Sequence, residues 1–362
     1  MSNTSVQRYT QGPLQIECHG RIEPLVEEWD DLADRAHAPP WLRPGWIGPW
    51  RRAFPRGSLE LLTLRREGRL AGLLPLERRF GALRSTSNWH TPAFGILAED
   101  DVVMHELAQV LVSRARRRVA LAFLASDDPA LAACRAAFGA ARYRLIVRTL
   151  ERSPYVVVDG NWAAYEARRD GKLIRELRRR RRRLGEQGRL ALEVVDGSEQ
   201  LDERLEEGFR VEAAAWKGQR GTAITSAPAT LRFYRDVADW AARRGWLRLA
   251  FLRLDKHPLA FDYCLEDGGV HYLLKTGYDP AYRAFAPGML MRQEMLARAF
   301  SIGLARYDFL GREEPWKMVW TDASRELSLL QAFAPSPLGL LEWAAFAFGR
   351  PVAKRALTRR GQ

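Results

Sequence analysis

GVHYLLKTGYDPAYRAFAPGMLMRQEMLARAFSIGLARYDFLG, Gly269 to Gly311, is the stretch on which the fold class turns. Residues 269–278 read as a strand, and Met289 to Ile302 as a helix stopped by Gly303, a good residue just past a helix end. Residues 304–311 read as the next strand. If that strand lies parallel to the one before the helix, the segment is a β-loop-α-β unit. Its helix opens on Ala286-Pro287-Gly288, with no Ser, Thr, Asp or Asn directly in front. A helix start carries unpaired N–H groups and partial positive charge. Glycine there lets a ligand approach the backbone, so the junction is a candidate anion site. The alternative is plain turn chemistry, since proline starts many helices.

Upstream, residues 246–254 and 257–266 read as two more strands. Tight polar turns at Asp255-Lys256 and Asp267-Gly268 join the three into a meander. LALEVV reads as a strand before them. Residues 198–217, with Leu201, Leu205, Phe209 and Ala213 at helical spacing, and residues 229–244 read as helices. Nearer the N-terminus, 22–36 carries Leu25, Trp29 and Leu32 at helical spacing. Two apolar runs flank Glu67-Gly68 as a β-hairpin. Residues 102–117 and 129–139 read as helices, and 119–124, 142–148 and 155–158 as strands. The expected fold is α/β (α+β): two modules meeting near 150–165, each a mixed, mostly antiparallel sheet flanked by helices. The expected division is 1–158, 159–335, and a C-terminal helix with basic tail over 336–362.

The 362-residue chain carries a formal charge of +13, and all but six of its 57 basic residues are arginine. That balance favours an anionic partner. No GxGxxG, GxxxxGK or HExxH occurs, so the common nucleotide and zinc motifs give no support. Cys18, Cys134 and Cys264 are far apart and form no CxxC pair, which suggests no metal, no disulfide framework and a reducing, cytoplasmic setting. Nothing resembles a signal peptide, and no run of about 18 apolar residues suggests a membrane span. PLGLLEWAAFAFG (337–349) contains Glu342 and leads into KRALTRR. It reads as a packed helix before a membrane-surface foot, which remains the lesser option for the basic tail.

The most basic stretch is 161–190, with six successive arginines, Arg178 to Arg183. Leu173, Leu177 and Leu184 mark its apolar stripe. Arg180 and Arg181 fall where that stripe should continue, so one of them should be buried or face a cleft. The run is a solvated face, a phosphate-contacting cleft, or a nucleic-acid contact; no aromatic residues are interleaved for the last.

The order of elements over roughly 160–325 resembles the GNAT-type acetyltransferase domain of the CelD-like family. The residues that carry the resemblance are Tyr278-Asp279, Pro287-Gly288, Gly303, Asp308-Phe309, Lys317 and Trp320, after a basic helix and a strand. The first 155 residues resemble the degenerate half seen in that family and in FemABX-type proteins, where two GNAT-like folds occur in tandem. One feature departs from the pattern. The usual pyrophosphate loop, Gln/Arg-x-x-Gly-x-Gly/Ala, is replaced by Ala286-Pro287-Gly288, with Arg283 before it and Arg292 after it.

The resemblance implies a bacterial-type acyltransferase using acetyl-CoA or another acyl-CoA, and no metal. The acceptor would be an amine on a sugar, amino acid or envelope precursor. Lys275, Gly277, Arg283, Pro287, Gly288 and Arg292 would meet the cofactor, and the oxyanion donor would be a backbone N–H between Leu274 and Gly277. Asp308 is the first candidate for the base, ahead of Asp262 and Glu266, and Tyr278 or Tyr282 would protonate the thiolate. Trp216, Lys217, His271 and Lys317 would line the acceptor pocket. Two alternatives remain open: an aminoacyl-tRNA-dependent transferase of FemABX type, with the arginine helix on RNA phosphates, and a non-catalytic scaffold.

Overall fold

A computed structural model describes residues 7–11, 14–214 and 223–349. The chain forms two compact units. One gathers residues 1–51, 55–151 and 326–362; the other holds 52–54 and Arg152–Arg325. These boundaries differ from the sequence-based division because of two strands. β8 (Arg144–Val157) is one continuous strand where the sequence reading has two. β14 (Ser324–Phe333), expected in the second module, pairs antiparallel with β7 (Arg118–Ala125) of the first unit.

The first unit is a mixed sheet. β1 (Gln7–Gln11), β2 (Leu14–His19), β3 (Ser58–Arg66), β4 (Arg69–Arg79) and β5 (Ala82–Ser85) follow one another antiparallel. β6 (Leu97–Ala98) pairs with β4, and β5 meets β7 in parallel. The β3–β4 turn needs positive φ at both central residues, and Glu67 (φ 52°) and Gly68 (φ 78°) supply it. The helix Asp101–Arg114 covers one face. Val103 and Leu107 fill the space over Gly72, where a Cβ would come within 2.5 Å of Val103.

In the second unit β9 (Leu190–Val195), β10 (Leu247–Leu254), β11 (His257–Asp267) and β12 (Val270–Tyr278) form the antiparallel meander. β13 (Arg306–Asp308) runs parallel to β12, and the end of β8 pairs antiparallel with β13. Alternation along the strands sends Ala250, Leu252, Ala260 and Cys264 into a core with Ile174, Leu177 and Leu184 of the helix Gly171–Gly185 and Leu290, Met291 and Met295 of the helix Pro287–Ser301. The helix Leu201–Ala214 lies against β11 and β12, and two glycines permit the approach. A Cβ at Gly208 would sit 2.3 Å from the Phe261 ring, and one at Gly277 would sit 2.4 Å from Glu212 Cα.

The arginine run is engaged all along its length. Arg178 pairs with Glu166, Arg179 and Arg180 with Glu176, Arg181 with Glu294, and Arg182 with Glu186; Arg183 lies 5.5 Å from the Phe285 ring centre. The stripe is set by Ile174, Leu177 and Leu184, with Leu173 half-buried. Arg181 continues it at the spacing 174, 177, 181, 184. It keeps its head exposed and pairs with Glu294 of the Pro287–Ser301 helix. Among the described residues no helix is long and apolar enough to cross a membrane. The basic tail from Arg350 lies outside the described residues.

Candidate functional site

β12 and β13 pair only over Val270–Tyr272. From Leu273 to Tyr278 no described strand pairs with the β13-facing edge of β12, while β11 stays paired through Tyr278 on the other edge. The register also shifts by one residue between Tyr263 and Cys264, leaving Leu274 as a bulge. Asp279 N–H donates to Leu259 O at 2.8 Å. By the alternation of an antiparallel ladder, Gly277 and Lys275 therefore donate toward β11, and the amides of Thr276 and Tyr278 point to the open edge.

The start of the Pro287–Ser301 helix faces that opening. Asp279 caps the turn Pro280–Phe285 by accepting from Ala281 N at 2.9 Å. The chain then enters Ala286 at φ 52°, ψ 54°, a left-handed conformation that costs a non-glycine residue about 1 kcal/mol. Pro287 has no N–H. Met289 and Leu290 both donate to Ala286 O, at 2.9 and 3.1 Å. Gly288 N–H is left, and it makes no hydrogen bond to the described residues. The elbow thus offers one free amide rather than a set of them.

These features border one cavity of about 420 Å³, within the range of ordinary ligand pockets. Gly277, Tyr278, Arg283, Pro287 and Gly288 line it, all expected from the sequence. The fold does not require glycine at 288: its φ is ordinary, and a Cβ would meet only Tyr278 Cδ1, at 3.5 Å. Glycine in a helix costs up to about 1 kcal/mol relative to alanine. What it preserves here is open space over its own amide.

Thr276, within the expected oxyanion segment Leu274 to Gly277, lines the cavity too; Glu212, Glu314 and Trp316 also line it, and the sequence reading did not assign these three to it. Glu212 is 0% exposed and accepts from Ile224 N at 2.9 Å. It extends the apolar stripe Leu205, Phe209 by three residues. A carboxylate on a buried stripe was the signal that could have found it.

Other expected site residues lie elsewhere. Arg292 does not reach the cavity: it is 0% exposed, bridges both oxygens of Asp262 at 2.8 and 2.7 Å, and meets the Tyr307 hydroxyl. A guanidinium inside a core needs such a partner, so this pair is part of the packing. Asp308 is also buried. It accepts from Leu310 N at 3.0 Å and from Arg325 at 2.8 Å, which fixes the turn after β13. Burial raises its pKa against the opposing pull of Arg325.

Lys317 donates to the carbonyls of Leu310 and Arg312 at 2.8 and 2.9 Å and pairs with Glu314, tying the loop on which Glu314 and Trp316 sit. His271 is buried, stacks on Tyr307 with ring centres 4.4 Å apart, and shares a hydrogen bond with Glu266. Burial lowers its pKa. Glu266 also pairs with Arg248 and Arg298; burial would raise its pKa, but the His271 and Arg298 hydrogen bonds hold it at about 2. Lys275 lies over the Tyr234 ring at 5.2 Å, and Tyr282 packs on His257. Trp216 and Lys217 lie outside the described residues. Among those described, no group of three His, Cys, Asp or Glu residues is placed to hold a metal ion.

Residues 171–318 match the family described as acetyltransferase (GNAT) domain. That span runs from the arginine helix to the loop closing the cavity and includes every cavity-lining residue. Solved structures share the fold over nearly the whole chain. FemX matches with a TM-score of 0.57 at 13% identity, covering 87% of this chain and 97% of that one. The C-terminal domain of a protein described as a lysylphosphatidylglycerol synthetase, from Agrobacterium fabrum, matches with 0.56 at 13%, covering 90% and 96%. A protein of unknown function from Bacteroides thetaiotaomicron matches with 0.54 at 10%, covering 85% and 97%. At these identities the likeness is one of fold. No curated protein sequence matches. Within the matched span, then, the open β12 edge and the Ala286-Pro287-Gly288 elbow border the same cavity.

Proposed function

We propose that the second unit transfers an acyl group, acetyl foremost, from an acyl-CoA to a small-molecule amine. The observation that carries this reading is one cavity onto which both a β12 edge that no described strand covers and the Gly288 amide open. A thioester laid along β12 would complete the edge as a further strand does, its carbonyl oxygen accepting from the Thr276 or Tyr278 amide. Those donors are fixed before the reaction, and such preorganised groups stabilise the oxyanion of the tetrahedral intermediate. The pyrophosphate would take the Gly288 amide and the Arg283 guanidinium, which both line the cavity.

The acceptor amine attacks the thioester carbon, and the C–S bond then breaks. Glu212, which lines the cavity, takes the proton that the nitrogen loses, in place of Asp308, which does not line it. Tyr278 returns a proton to the thiolate. A CoA donor would set this reaction in the cytoplasm. Isothermal titration with CoA and acetyl-CoA, followed by acetyl transfer to an amine panel, tests the reading; failure of both thioester binding and transfer overturns it. The aminoacyl-tRNA alternative rests on Arg178–Arg183, whose heads are already engaged by carboxylates and an aromatic ring. It would prevail if tRNA bound with steep salt dependence and CoA did not bind.

A further inference from the structure

The first unit contains a hollow of its own, of about 260 Å³. Its floor is one cross-strand row. Glu77 on β4 faces Arg84 on β5, Arg84 faces Ala120 on β7, and Ala120 faces Gln331 on β14. Arg118 and Ala122, two residues either side of Ala120, share its face. Alanines at the centre leave the depression, and Arg84, Arg118, Gln331 and Phe346 wall it.

The charges in this hollow do not cancel. Glu77 is 2% exposed and already committed: it accepts from the Arg51 guanidinium and from Arg56 N at 3.0 Å. Arg118 lies 4.6 Å from the Phe346 ring centre. The Arg84 and Arg56 guanidinium groups make no hydrogen bond or ion pair to the described residues, and Arg84 Nε is fully buried. Gln331 is 4% exposed, and its Oε1 is buried with no donor among the described residues. Buried polar groups are normally partnered, so Arg84 Nε and Gln331 Oε1 each call for a group from outside the described residues.

The Arg84 and Arg56 guanidiniums and one lone amide oxygen define what that group must carry. A phosphate monoester dianion offers oxygens that guanidiniums engage in pairs. A single carboxylate would match only one of these two charges. Gln331 Oε1 needs a donor, which a hydroxyl on the ester carbon chain provides. The hollow is smaller than the ~300–1,000 Å³ of ordinary ligand pockets, which suits a sugar phosphate and not a nucleotide. We propose that this sheet face of the first unit binds a small hydroxylated phosphate monoester. The proposal is independent of the acyl-CoA reading of the second unit.

The test titrates inorganic phosphate, glycerol 3-phosphate and glucose 6-phosphate into the full chain by calorimetry. It is run on the parent and on Gly288→Asp, which blocks phosphate at the helix elbow. Saturable binding in both proteins is expected, with the esters tighter than inorganic phosphate. Arg84→Gln should weaken all three at least tenfold. Gln331→Leu should bring the esters down to the affinity of inorganic phosphate while leaving phosphate itself unchanged. Arg56 is exposed, so Arg56→Gln decides the matter if Arg84→Gln does not fold; it too should weaken binding severalfold. The proposal fails if none of the three ligands binds saturably. It fails equally if binding disappears in Gly288→Asp, or persists at parental strength in Arg84→Gln or, where that variant does not fold, in Arg56→Gln.

Discussion

Replacing Gly288 by aspartate should separate ligand binding from folding at the helix elbow. Gly288 is the second residue of the Pro287–Ser301 helix, in ordinary helical conformation, with its nearest neighbour to an added Cβ at 3.5 Å. Alanine therefore fits and should raise stability, by up to about 1 kcal/mol, with CoA affinity changed only a few-fold. Aspartate also fits the fold, because a carboxylate at a helix start gains about 0.3–1 kcal/mol from the dipole. Against a bound pyrophosphate the same charge acts in the opposite direction. Two unit charges about 5 Å apart interact by roughly 3 kcal/mol at an effective dielectric of about 20, and salt and exposure cut this by about half. The net loss, about 1.5 kcal/mol or more, is at least tenfold in Kd. Isothermal titration of CoA into parent, Gly288→Ala and Gly288→Asp reads the ratio, and thermal melts confirm that each variant is folded. A folded Gly288→Asp that binds CoA as the parent does would refute the anion site and reduce Pro287-Gly288 to turn chemistry.

Glu212→Gln keeps an acceptor for Ile224 N but removes the proposed base, so kcat should fall about 10²–10⁴-fold with CoA affinity unchanged; steady-state kinetics with calorimetry checks both. Arg292→Met strands the Asp262 carboxylate in the core, where both partners are 0% exposed, and should cost about 3–5 kcal/mol in urea unfolding. Arg292→Met with Asp262→Leu should recover much of that loss. Stability should also fall in acid. Glu266 has a folded pKa of about 2 against an ordinary value of 4.5, so its contribution is present above pH 4.5 and lost as pH falls toward 2; the shift corresponds to on the order of 3 kcal/mol. His271, with its pKa lowered from 6.5, acts in the same direction, beginning as pH drops below 6.5. Denaturant melts between pH 7 and pH 3 should show this slope, and Glu266→Gln should flatten its lower part.

The sequence by itself determined those features whose causes lie within a few residues. Alternating apolar positions marked the meander of the second unit, and Glu67-Gly68, Asp255 and Gly268 turned the chain where positive φ was needed. The helix over 287–301 was legible from its period and from Gly303, and so was the oddness of its cap. Tertiary structure alone decided the partners. Periodicity tells which face of a strand is buried but not which strand lies beside it. Hence β14, nearly 200 residues downstream of β7, joins the first unit, and β12 has one open edge. The same limit governs the charges. Arg292, Asp308 and Lys317 look like site residues in a list of polar side chains, yet Asp262, Arg325 and two loop carbonyls take them into the core. Glu212, on a stripe that looked merely amphipathic, is left facing the cavity, because Gly277 lets its helix come close to β12. Burial turns a charge into either a structural pair or a reactive group, and which one results depends on neighbours that no local pattern specifies.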